Sequence, residues 1–153
     1  MSHQHDAHIV LDDVRGWRGL HGAVALDESI AHVDRHLNNL IRTGARSYAV
    51  IDNGRLVNPR AERWTADQLI DIKLYDNKLS ERTWGNRPDN ADASMTLKCA
   101  AAHEVAMQTV ASELDYWLGL LLDSNDASRF REFIHNRMRD AEMLLRNRFR
   151  RLL

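Results

Sequence analysis

The stretch DASMTLKCAAAHEVAMQTVASELDYWLGLLL, residues 92–122, decides how the rest of the chain is read. Apolar or small residues return at alternating steps of three and four, at Ala100, His103, Met107, Val110, Leu114, Trp117 and Leu121, which is the seam of one long helix. At 1.5 Å per residue that helix would run roughly 45 Å. Asn90 or Asp92 is expected to cap its start, and Asp123, Ser124 and Asn125 to break it at the end.

A strut of that length needs partners, and three further segments carry helical periodicity. Thr65 to Thr83 places Leu69, Ile72, Tyr75 and Leu79 on one face. Its start holds a T-x-x-Q capping box, Thr65 and Gln68, and Trp64 is placed to staple onto Leu69. Gly85 and Pro88 then stop it. Asp27 to Thr43 repeats Ile30, Val33, Leu37 and Leu40 before Gly44, and residues 126–151 carry Phe130, Ile134, Met138, Ala141, Leu145 and Phe149 in one stripe. Residues 9–20 add a short helix across an end. The expected fold is therefore all-α, a bundle of about four main helices.

One stretch departs from this pattern. YAVIDNGRLVN, residues 48–58, reads as β-structure, and Asn53-Gly54 signals a type I′ turn that pairs Ile51 with Leu56 and Val50 with Val57. The expectation is one hairpin inserted at about 47–58. A lone two-stranded hairpin is marginal in water, so it must lie on its own bundle or be completed by another chain. That makes Val50, Ile51, Leu56 and Val57 candidate interaction residues.

Composition narrows the classes. The chain has 153 residues, 44% hydrophobic and 28% charged, with a net charge of −1. This is the balance of a folded domain, expected to span residues 9–153 behind a disordered start of residues 1–8. No apolar run approaches the roughly 20 residues of a membrane helix, and no apolar leader follows Met1. With Cys99 as the single cysteine, a reducing cytoplasm is the expected setting.

No residue set names a reaction. His32 and His36 stand at i and i+4 beside Glu28, a metal-binding spacing, but one straight helix cannot surround an ion. No metal or other cofactor is expected. His103 and Glu104 on the seam are the candidate core site of an enzyme or ligand-binding bundle. The loop at Arg82, Trp84, Asn86 and Arg87 gathers charged, aromatic and amide groups that suit a ligand.

Residues 129–153 hold eight arginines against three carboxylates. Within them Arg146, Arg148, Arg150 and Arg151 are candidate anion-binding residues, for phosphates or an acidic partner. RFREFIH, Arg129 to His135, resembles in spacing the R-x(4–6)-H element of the HEPN superfamily of helical ribonucleases, with Phe130 where that pattern usually has a polar residue. The resemblance implies Arg129 and His135 as a cleavage pair at a dimer interface. The reading that unites most features is a self-associating helical scaffold or protein-interaction module without catalytic activity. The alternatives are the ligand-binding bundle around His103 and Glu104, and nucleic-acid contact through the last helix.

Overall fold

The computed structural model describes residues 10–52, 54–60 and 64–150. The fold is all-α with one inserted two-stranded antiparallel hairpin. Helix α1, residues 10–15, leads into α2, Leu20–Ser29. The hairpin is β1, Leu40–Gly44, and β2, Ser47–Val50. Then follow α3, Lys78–Trp84, α4, Asn90–Ala101, α5, His103–Leu121, α6, Ser124–Arg139, and α7, Ala141–Arg150. Two apolar clusters hold them together. One gathers Leu69, Tyr75, Met107, Phe130, Phe133 and Ile134. The other joins Val14, Leu20, Val24, Leu79, Ala100 and Leu145.

The long strut is two helices. Its ladder is interrupted at Ala102, and its N-cap is Asp89, whose carboxylate accepts from the Asp92 amide at 2.8 Å. The last helix is likewise divided, at Asp140. Asp123 both ends one helix and caps the next, accepting from the amides of Asn125 and Asp126.

The helix expected over Asp27 to Thr43 ends at Ser29. Ala31 takes a left-handed conformation (φ 55°), and the His32 amide turns back to the Asp27 carbonyl at 2.8 Å, closing a Schellman-type stop without glycine. The chain then passes through a non-helical stretch and a 3₁₀ turn, Leu37–Asn39, into β1, so His32 and His36 share no helical stripe. The hairpin also lies earlier than expected. Its turn is Ala45-Arg46, and Val50 pairs with Leu40, Ala49 with Ile41, and Tyr48 with Arg42. Leu56 instead bridges His32, and the Val57 amide donates to Ala31 at 2.9 Å, so residues 55–57 clasp the segment after α2. Asn53 and residues 1–8 lie outside the described residues.

The largest correction concerns Thr65 to Thr83. The capping box forms, yet it starts only the 3₁₀ turn Ala66–Gln68, and residues 69–77 run without a helical ladder. Trp64 stacks on Phe130, with ring centroids 5.2 Å apart, in the same apolar cluster as Leu69. The cause is a competing set of donors. Arg129 donates to the Leu69 carbonyl at 3.0 Å. Arg137 reaches the carbonyls of Asp71 and Lys73 at 2.7 and 2.9 Å, and Arg148 that of Tyr75. Carbonyls that would serve a helix are thus held by guanidinium groups, whose bonds are stronger than neutral ones. Helix α3 begins only where Asn77 caps the Ser80 amide.

Candidate functional site

Helices α5 and α6 pack side by side and leave a cleft of about 180 Å³ between the first turns of α5 and the last turns of α6. Each helix brings a polar pair one turn apart with a methionine between. From α5 come Glu104 and Gln108 around Met107; from α6, His135 and Arg139 around Met138, with Asn136 beside them. Met107 is buried and Met138 half-buried, so the cleft has a thioether floor and a polar rim. Arg139 forms a two-bond fork with Asp140, both bonds 3.0 Å. The side chains of Glu104, Gln108 and His135 make no hydrogen bond or ion pair among the described residues. Asn136 donates to Asp71 at 2.7 Å, which ties the cleft's inner wall to the 69–77 segment.

The two pairs singled out in the sequence are therefore split and recombined. His103 is half-buried with its Nδ1 2.6 Å from the Ser29 hydroxyl, and burial pulls its pKa below the ordinary imidazole value. Arg129 is occupied by the Leu69 carbonyl and Glu132. Glu104 and His135, one from each pair, share the cleft. Of the R-x(4–6)-H element, Arg129 bonds to the Leu69 carbonyl and Glu132, and His135 lines the cleft. Tyr75 lies in the first core cluster, and His32 is fully buried, its ring beside the Asp52 carbonyl.

His32 belongs to one of two charged clusters in the core. Asp27 grips Arg35 through bonds of 2.8 to 3.2 Å, and Arg35 continues to the Ile51 carbonyl at 2.8 Å. His32 lies 3.2 Å from the Asp52 carbonyl through Nε2, while its Nδ1 is 4.0 Å from Asp27 with no hydrogen-bond partner. Burial raises the Asp27 carboxyl to about 6 against the pull of Arg35. Burial, then the Arg35 charge, lowers His32 to about 4. A second knot joins Glu28 to Arg148 at 2.6 and 3.3 Å, and Arg137 stands 3.8 Å from the same carboxylate.

Arg148 is thus a core residue and not part of an anion-binding strip. Arg146 is exposed and bonded to Glu142, Arg150 is exposed, and Arg151 lies outside the described residues. Of the hairpin candidates, Val50 is half-buried and Ile51 exposed, whereas Leu56 and Val57 pack into the core. Of the residues expected in a loop, Arg82 and Trp84 lie in the last turn of α3, and the chain leaves the helix at Gly85, which takes its left-handed stop (φ 61°) with the Asn86 amide bonded to Ser80; Trp84 stacks on His21, which pairs with Asp92 at 2.8 Å. Arg82 and Arg87 are exposed. His36 is exposed and paired with Asp34 at 2.6 Å, and Cys99 is half-buried. Among the described residues no group of three or more His, Cys, Asp or Glu is placed to hold a metal ion, and no helix is long and apolar enough to cross a membrane.

The surface feature that periodicity misjudged lies on α5. Met107 and Leu118 face the bundle, but Val105, Val110, Tyr116, Trp117, Leu120 and Leu121 point outward. Val105 is 67% exposed, Tyr116 64%, Leu120 62% and Leu121 72%. The seam read from the sequence is therefore divided between the inner and outer faces. Comparison with protein-family models, with curated proteins and with solved structures finds no match for this chain.

Proposed function

We propose that this protein is a self-associating helical scaffold, paired with a second copy of itself through the outer face of α5. The observation that supports this reading is the apolar character of that face. A helix that is apolar on both its inner and outer sides is one that another surface covers. The six outward side chains are each 48–72% exposed, and the two aromatic ones are residues that bury about 150–250 Å² each when covered. Contiguous apolar patches of more than a few hundred Å² mark interaction sites on soluble proteins. A standard specific interface draws about 800 Å² from each partner.

The chemistry of the face also suggests how the copies meet. Tyr116 and Trp117 form an edge-on pair 5.3 Å apart at its C-terminal half, the aromatic anchor that dominates interface energetics. Glu113 is the charged residue on the face, and two such carboxylates repel if a two-fold axis passes between them. An axis nearer Trp117 than Glu113 separates them and centres the aromatic residues.

Sedimentation at tens of micromolar tests the proposal. The expected result is a dimer that becomes a monomer with Leu120→Glu and Trp117→Glu, while the circular dichroism of both variants stays that of the parent, since neither position is buried. A parent protein that sediments as a monomer across that range rejects it.

A further inference from the structure

We infer that the α5–α6 cleft is a binding site for a small zwitterion, a free amino acid in chemical class. The inference is independent of pairing through α5. By the 100° helical step Glu104 and Gln108 lie on a different arc from Val105, Tyr116 and Leu120, so a second copy leaves the cleft open.

Four observations converge. The cleft places a carboxylate, Glu104, and a guanidinium, Arg139, around one cavity, and no ion pair within 4.0 Å joins them. A ligand carrying both signs meets each at its own end. The fork to Asp140 uses only some of the five donors of the Arg139 guanidinium, and the others remain for a ligand carboxylate. Gln108 and His135, without protein partners, supply further donors and acceptors on the rim. The Met107–Met138 floor accepts an apolar chain, and thioethers tolerate varied shapes.

Size restricts the ligand. A cleft of about 180 Å³ holds the liquid volume of about six waters. That suits a free amino acid with a short aliphatic side chain. An ammonium alone would leave the remaining donors of Arg139 unused, and a carboxylate alone would meet Glu104.

The test uses the full chain with isotope-labelled amides and two isomeric probes, L-valine and 5-aminovalerate, which differ in the distance between their charges. Pentylamine and valerate serve as single-charge controls. At least one zwitterion is expected to shift the amides of residues 104–108 and 135–139 saturably at millimolar concentration, with each control at least tenfold weaker. Glu104→Gln and Arg139→Gln, both at exposed positions, are expected to weaken that binding tenfold or more with the remaining spectrum unchanged. Absence of saturable shifts with both isomers overturns the inference. So does a control that binds as well as the zwitterion, or a pair of variants that bind as the parent does.

Discussion

Replacing His32 by glutamine should tilt the pH dependence of stability in a direction fixed by the buried cluster after α2. His32 is fully buried, and its pKa falls from 6.5 to about 4. A depressed folded-state value means stability that is present above pH 6.5 and lost as the pH falls through 4. Asp27 acts in the opposite sense. Its pKa rises from 3.8 to about 6, so its contribution is full below 3.8 and lost as the pH rises through 6. Asp27 also takes its proton first, which leaves no carboxylate at 4.0 Å to support a charged His32. In the parent the two dependences oppose one another between pH 4 and 6. His32→Gln removes one of them and keeps a donor for the Asp52 carbonyl. Between pH 7 and 4.5 the His32 contribution amounts to roughly 2 kcal/mol, at 1.36 kcal/mol per pKa unit. The unfolding free energy of the variant relative to the parent should therefore rise by about 2 kcal/mol over that interval. Urea titrations of both proteins at four pH values measure it, and every other titrating group cancels in the difference. Parallel stability curves, or a difference of the opposite sign, would refute the reasoning.

Two further changes probe the scaffold. Arg137→Met leaves four carbonyls, those of Glu28, Ser29, Asp71 and Lys73, without their donor, and should cost about 3–5 kcal/mol in urea unfolding. Arg137→Lys should recover little of this, because an ammonium lacks the planar fork; near-parent stability in either variant contradicts the assigned role. Asp123→Ala removes the cap over the Asn125 and Asp126 amides and should cost about 1 kcal/mol. That appears as a drop in melting temperature of about 2–4 °C for a chain of this size.

The features legible in the sequence were those with local causes. The Thr65–Gln68 capping box, the left-handed stop at Gly85 and the break at Asp123 each depend on residues within one turn, and each is present. The periodicity of Leu69, Ile72, Tyr75 and Leu79 marked three core residues and mistook both Ile72, which is 73% exposed, and the backbone, because a non-helical chain can also touch the core at intervals. What overrode the helix there is held 60 or more positions away, in Arg129, Arg137 and Arg148. Ala31 ended a helix without the glycine that marks such stops, and this moved the hairpin forward. The cleft was half visible. Glu104 and His135 were both named, but each beside a sequence neighbour, because the packing of α5 on α6 that brings them together leaves no trace in spacing along either helix.

The arginine spokes also order the protein in time. Residues 69–75 leave the ribosome well before Arg129, Arg137 and Arg148, yet the carbonyls of Leu69, Asp71, Lys73 and Tyr75 take their native donors from those three side chains. Until residue 129 has been made, the capping box at Thr65 faces none of these rivals, and the local preference of the nascent segment is the helix that its periodicity describes. Synthesis of the last two helices then converts that segment from a local solution to a global one, and contacts of such long sequence separation are the slow ones to form.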